Sequence, residues 1–395
     1  MSHSPKLGLW ELFYVRYFMD KLRSFAKRYL SYVLVAVLAS AATWFAADLL
    51  PTSKLDRLTA AIENRFIGDA DTDAMQDAAA EAMIASLGDR WSYYISAEEY
   101  AAHLDRQSNS YVGIGVTIQG RQDKLGFDIV AVTAGGPAEE AGIQPGDILT
   151  HADGTAVGEL TTTEVRGLVM GEKNTKVMLS LLRGEETLEL SVTRKVVHSQ
   201  VATGVMLTED VGYVSISNFH TGAGEETIGQ VEELLEEGAE KIIFDVRNNP
   251  GGYVHEMVEA LDYLLPEGPL FRSVSYSGKE DVDESDADCL EIPMAVLING
   301  NTYSAAEFFA AALVEYDWAI SVGEPTTGKG YYQTTIELGD GSAVQLSTGA
   351  YTTPNGVNLT EVGGLQPQVP VMPADDFSSL LEDPQIMAAV EVFAQ

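Results

Sequence analysis

After residue 197 the chain alternates short apolar runs with longer amphipathic ones, and this alternation limits the fold more than any other feature. "GYVSISNF", "KIIFDVR", "PMAVLING" and "AISVGE" have strand length and composition, while "AGEETIGQVEELLEEGA", "HEMVEALDYLL" and "AAEFFAAALVEY" have helical spacing. Strands joined through helices pair in parallel, because a helical crossover returns the chain to the same end of the sheet. An α/β core with a mostly parallel sheet follows. Ligands of such sheets bind beyond the carboxyl ends of the strands. The loops after "KIIFDVR", "PMAVLING" and "AISVGE" are therefore expected to meet at one crevice. No internal repeat or low-complexity tract interrupts the pattern.

Upstream the texture differs. Residues 54–106 read as helical, with apolar positions three and four apart in "KLDRLTAAIENRF" and "TDAMQDAAAEAMIASLGDRW", Gly88 as a C-cap, and Ser96 with Glu99 as the start of a further helix. From residue 111, "YVGIGVTIQ", "FDIVAVT", "GDILTHADG", "KVMLSLLRG" and "TLELSVTRK" alternate apolar and polar residues between glycines, with one helical stretch, "TTTEVRGLVMG". These make a small barrel-like module ahead of the α/β core.

At the N-terminus, residues 30–47 carry no charge, and 18 residues span roughly 27 Å as a helix, just enough for a bilayer core. Lys21, Arg23, Lys27 and Arg28 precede the run, so residues 1–29 are expected to stay cytoplasmic, residues 30–50 to form a signal anchor, and the body to lie outside the cytoplasm. A cleaved signal peptide is the alternative, given Ala39-Ser40-Ala41. A buried core helix fits less well, because no amphipathic face is visible. Charge divides at the same place. Residues 1–50 carry a net +3 and the rest −38 within a total of −35, which repels nucleic acid and anionic lipid from the body. The single cysteine, Cys289, excludes an intrachain disulfide framework and a thiolate zinc site, and its acidic surroundings, 277–292, read as a surface loop.

The three loops at the expected crevice have a distinctive inventory. "NNPGGYV" (248–254) places two glycines before a helix, where backbone N–H groups can approach a substrate oxygen, although the same residues also serve ordinary turns. In "NTYSAAEFF", Ser304 and Glu307 form a capping-box pattern, and a serine beside free N–H groups also suits a nucleophile. "GEPTTGKGYYQ" (323–333) sets Lys329 between glycines. None of the six histidines lies in a serine-hydrolase motif, and no G-x-S-x-G elbow is present. His255 is near the first loop but reads as a solvated or packed helix residue. This inventory permits a serine–lysine dyad, whose lysine must be neutral to accept the serine proton; burial favours that state.

These residues resemble the C-terminal processing peptidases, or tail-specific proteases. The likeness runs through "SLGDRWSYYISAEE" (86–99), "YVGIGV" (111–116), "GGPAEEAGIQPGDILTHADG" (135–154), "EVRG" (164–167), "FDVRNNPGG" (244–252), "YTTPNG" (351–356) and "GGLQPQVPV" (363–371). It places the family's serine, lysine and glutamine on Ser304, Lys329 and Gln333, with matching spacings of 25 and 4. Departures include Tyr303, Ala306, Thr327, Gln368 and the run Glu172-Lys173-Asn174, none of which removes a catalytic group.

The resemblance implies a mixed α/β chain with a crotonase/ClpP-like βαβ protease core and an inserted PDZ domain, after N-terminal helices and the anchor. The expected segments are an N-terminal helical part at 51–108, a PDZ domain at 109–196, a protease core at 197–375 and a helical tail at 376–395. Ser304 is then the nucleophile, Lys329 the general base and Gln333 its orienting partner. The N–H groups of Ala305 and Gly251 (or Gly252) form the oxyanion site. Val112, Gly113, Ile114, Gly115 and Val116 take the carboxylate of a substrate tail, which adds as a strand. Arg166 is expected to contact the active site when the PDZ domain is docked. Partners are protein substrates with free C-terminal tails, not nucleic acid. No cofactor or metal is implied, and a homodimer is compatible. One rival is a catalytically silent PDZ scaffold on a protease fold. A trypsin-like PDZ protease fits less well, because its PDZ domain would follow the catalytic domain.

Overall fold

A computed structural model of the chain describes residues 9–48, 53–374 and 379–394. It divides into two compact units, Met1–Ala82 and Met83–Gln395. The first holds helices Leu9–Asp48 and Lys54–Arg65. Ser53 starts the second helix with reciprocal bonds: its Oγ accepts the Asp56 N–H at 3.1 Å, and the Asp56 carboxylate accepts the Ser53 N–H at 2.8 Å. Val33, Leu34, Val35, Val37 and Leu38 of the long helix are all solvent-exposed. Among the described residues no helix is long and apolar enough to cross a membrane. The expected span at 30–50 lies in part outside them.

The second unit is built on a six-stranded sheet in the order Ala202–Met206, Val211–Ile216, Lys241–Asp245, Met294–Ile298, Ala319–Gly323, Val369–Pro370. All neighbours are parallel except the first pair. Side chains alternate across it. Ile242 and Phe244 join Val231, Leu261, Phe308 and Phe309 of helices Ala223–Glu236, Val254–Leu264 and Ala305–Glu315 on one face. Ile243, Ala295 and Leu297 meet Ile386 and Ala389 of helix Pro384–Val392 on the other. Burial on both faces explains why these strands read as continuous apolar runs. The expected helical tail is thus a covering layer of the sheet, although residues 375–378 and 395 lie outside the described chain.

A second, antiparallel sheet corrects two expectations. Its order is Tyr93–Ile95, Ala343–Thr352, Gly268–Ser275, Glu280–Ser285, with Tyr331–Glu337 also paired to Ala343–Thr352. Tyr93–Ile95 interrupts the stretch read as helical at 54–106; three residues become a strand only by pairing with 343–345. The acidic stretch read as a loop holds the edge strand Glu280–Ser285, its charges turned largely to solvent. Charged edge strands are common because they resist pairing with other chains.

The barrel-like module comprises Val116–Gly120, Phe127–Val132, Ile148–Ala152, Lys176–Arg183 and Glu186–Thr193, with helix Thr162–Val169. Arg183 grips the buried Asp147 through two bonds of 2.6 and 2.8 Å. The chain enters and leaves the module through a two-stranded antiparallel ribbon, Ser110–Gly113 against Lys195–His198.

Candidate active site

The loops after the three central parallel strands do meet. Asn249, fully buried, organises the first. Its Nδ2 donates to the Ile216 carbonyl at 2.9 Å, its Oδ1 accepts the Gly251 N–H at 2.8 Å, and its carbonyl accepts the Tyr303 N–H at 3.1 Å. The Oδ1 of Asn248 accepts the amides of Asn299 and Asn301 at 3.1 and 3.0 Å, fastening the first loop to the second. Gly251 has φ 83° and lies so close to the second loop that a Cβ there would sit 2.7 Å from Ala305 N and 2.8 Å from Ser304 Cβ. Only glycine fits that approach.

Ser304 heads helix Ala305–Glu315 with φ 61° and ψ −132°, a conformation seldom tolerated outside glycine. Strain of this kind concentrates at functional sites because surrounding bonds must enforce it. Glu307 supplies one such bond, accepting the Ser304 N–H at 3.0 Å. The Ser304 hydroxyl shares a 3.0 Å hydrogen bond with the Tyr351 hydroxyl.

Glu307 does more than start a helix. Fully buried, it also accepts the N–H groups of Gly328 at 2.6 Å and Lys329 at 2.9 Å, and the Thr326 hydroxyl. One carboxylate thus joins the serine loop to the lysine loop. Burial pushes its pKa up, and these bonds oppose the rise. The sequence signal was present in the Ser-x-x-Glu spacing, but the second set of partners depends on tertiary proximity.

Lys329 is only 9% exposed. Its Nζ lies 4.6 Å from the centre of the Trp91 ring and 6.0 Å from that of Tyr303. Burial pulls its pKa down to about 8, against the opposing charges of Glu307 and Asp89. Ser304 and Lys329 line one cavity of about 990 Å³, together with Gly252, Tyr332, Gln333 and Tyr351. His103 and His220 also line it, which the sequence reading did not foresee. His255 is solvent-exposed.

Several expected roles look different in place. No hydrogen bond joins Lys329 Nζ to Ser304 Oγ. The Gln333 amide donates to the Tyr331 carbonyl at 3.0 Å and to Ser347 Oγ at 3.1 Å rather than engaging Lys329. The Gly251 N–H is committed to Asn249, so the oxyanion donor expected there is occupied. Gly252 lines the cavity instead, and Ala305 presents the first N–H of its helix, a group without an intrahelical acceptor. In the barrel module, Gly113, Ile114, Gly115 and Val116 line a groove of about 300 Å³ against helix Thr162–Val169. Val112 does not line it, whereas Tyr111 and Gly113 on either side do, because alternate residues of a strand face opposite sides. Arg166 lies on that groove, not in the Ser304 cavity.

Fold and cavity together describe a mixed α/β core carrying a small inserted barrel, and comparison with known proteins gives the family. The model of peptidase family S41 matches residues 210–371, and that of the PDZ domain matches residues 129–183. The carboxy-terminal processing protease CtpA of Bacillus subtilis is 32% identical over 323 residues, covering 80% of this chain and 69% of that protein. A carboxyl-terminal-processing protease of Synechocystis is 31% identical over 323 residues, covering 80% and 76%. A solved chain from Bacteroides fragilis assigned to the S41 proteases superposes with a TM-score of 0.52 at 18% identity, over 80% of this chain and 90% of that one, a likeness of fold. The chain belongs to peptidase family S41, with the carboxy-terminal processing serine proteases.

Proposed function

We propose that the protein is an endopeptidase using Ser304 as nucleophile and Lys329 as general base on substrates delivered by their C-terminal tails. The observation that carries this reading is the convergence of a strained serine and a buried lysine of lowered pKa on one cavity. In the reaction, neutral Lys329 takes the proton from Ser304 Oγ as the oxygen attacks the scissile carbonyl. The resulting oxyanion accepts the N–H groups of Ala305 and Gly252. The Lys329 ammonium then returns the proton to the leaving amine, and water repeats the cycle on the acyl-enzyme. The Ser304 hydroxyl can donate to Lys329 while accepting from Tyr351, and the Gln333 Oε1 can accept from the Lys329 amine while Nε2 holds the Tyr331 carbonyl and Ser347.

The lack of a direct Ser304–Lys329 hydrogen bond is also what a silent PDZ scaffold would display. Labelling with a fluorophosphonate probe separates the two readings. The protease reading expects a stoichiometric adduct on Ser304 that is lost in Ser304→Ala and Lys329→Ala; an unlabelled wild-type protein favours the scaffold.

Other parts of the reading rest on sequence and resemblance. The helix-covered parallel sheet is consistent with a crotonase/ClpP-like core. The PDZ groove at Gly113–Val116 is the tail-binding site. Residues 30–50 anchor the protein, with the catalytic body outside the cytoplasm, supported by the basic flank and the exposed apolar side chains of helix Leu9–Asp48. Protease accessibility of the body in intact spheroplasts tests this, and recovery of a soluble form beginning near Ala41 supports the cleaved leader instead.

A further inference from the structure

Apart from His103 and His220, the described residues lining the Ser304 cavity include two ionisable side chains, Lys329 and Asp283. Lys329 belongs to the chemistry already proposed; Asp283 has no part in it. Asp283 lies on the edge strand Glu280–Ser285 directly opposite Phe271. Cross-strand partners share a face of their sheet, so Asp283 and Phe271 point to the same side. The Phe271 ring lies 5.3 Å from the Tyr351 ring, and the Tyr351 hydroxyl meets Ser304 Oγ. Asp283 thus stands on a continuous wall leading away from the nucleophile. Its neighbour two residues back, Asp281, is neutralised by Lys279 at 2.7 Å. The Asp283 carboxylate has no hydrogen-bond or ion-pair partner among the described residues. Partial burial, then Asp281, push its pKa up, as expected for a carboxylate short of a counter-ion.

We infer that Asp283 is a specificity determinant that accepts a lysine or arginine side chain of the substrate a short distance from the scissile bond. The inference rests on the Ser304 cavity being the peptidase site. The wall offers an aliphatic stem the Phe271–Tyr351 aromatic surface, and the cationic head a carboxylate that closure by the peptide removes from water. An acidic side chain there meets repulsion, and a neutral one gains nothing from the carboxylate. The discrimination thus combines attraction with exclusion.

The test uses full-length protein and internally quenched peptides that share one tail and vary a single position at a time on either side of the cleaved bond through Lys, Arg, Ala and Glu. At one position the wild type should prefer Lys or Arg over Ala by about two- to fivefold in kcat/KM, the scale of a partly exposed ion pair. Asp283→Asn should flatten that preference while cleavage of the Ala peptide stays unchanged, and Asp283→Lys should invert it toward Glu. The side chain is on a solvent-exposed edge, and near-wild-type Ala-peptide kinetics report a folded enzyme in each variant. Cleavage with no basic preference at any position, or a preference unmoved in Asp283→Lys, overturns the inference and leaves the peptidase intact. Failure to cleave any peptide, with no fluorophosphonate adduct, overturns the peptidase reading beneath it.

Discussion

Lys329 is a charge kept where water is scarce, and the consequence can be worked through with sign. Its folded pKa, about 8, lies below the ~10.4 of an unfolded lysine. Below about pH 8 both states hold the proton, and the folded state bears the whole penalty of burying it. Between about 8 and ~10.4 the unfolded chain holds more protons, so stability rises with pH. The depression is worth roughly 3 kcal/mol, part of it offset by the Trp91 ring facing the ammonium. Lys329→Met should therefore stabilise the fold at pH 7 by on the order of 1–2 kcal/mol while abolishing cleavage, an exchange common at active sites. Thermal unfolding and peptide turnover measured on the same sample check it; a destabilised variant contradicts the burial argument. In the wild type, kcat/KM should rise with pH along a single titration centred near 8. A flat profile from pH 6 to 9 would remove Lys329 as the base.

At the scale of elements, the site is a junction of three loops held by a few buried polar groups. Glu307 links the helix start to the lysine loop through bonds to Ser304, Gly328 and Lys329. Glutamine there keeps one acceptor oxygen in place of two and brings donors to N–H groups that are themselves donors. Glu307→Gln should lower kcat by at least about tenfold and cost about 1–3 kcal/mol of stability. It should also move the apparent pKa of the pH–rate profile downward, because the Glu307 charge holds Lys329 up. A merely structural role would leave that pKa in place. Gly251→Ala tests the close approach of the first loop. A methyl group 2.7 Å from Ala305 N must displace the serine loop, so labelling of Ser304 should fail even where circular dichroism shows a folded protein.

Over the whole second unit, the PDZ domain meets the core through its ribbon and flanking contacts. Ser110–Gly113 pairs with Lys195–His198, and just beyond it Asn109 donates to the Thr221 carbonyl at 2.9 Å while the Ser199 N–H donates to Asn109. Arg194, buried at the ribbon's end, donates to the carbonyls of Leu168 and Val169 at the close of helix Thr162–Val169. Groove helix and ribbon are therefore mechanically joined. Arg166 lines the groove, which changes what its removal should do. The active-site contact that the family likeness implies for Arg166 would give lost turnover with tail affinity intact. Its position points instead to weakened tail binding, because among the described residues it is the one charged residue lining the groove. Arg166→Ala should reduce affinity for a fluorescent tail peptide several-fold, as read by anisotropy. Unchanged affinity with reduced turnover would return Arg166 to the role of a gate.

Much of this was legible in the chain because it is local. The helix-strand alternation after residue 197 sets the parallel core, since period and length are properties of consecutive residues. The glycine and asparagine turns mark the loops that meet, and Ser304, Lys329 and Gln333 stand at readable spacings. Tertiary structure alone decided the rest. Tyr93–Ile95 is too short to be a strand without Ala343–Thr352, and Glu280–Ser285 is too acidic to read as one before it pairs with Gly268–Ser275. Whether the N–H of Gly251 or of Gly252 is open depends on where Asn249 aims its side chain. The second set of bonds at Glu307, the aromatic walls around Lys329 and the place of Asp283 on the Ser304 cavity all bring together residues far apart in sequence. Such pairings follow from the packing of layers, and no window of neighbouring residues contains them.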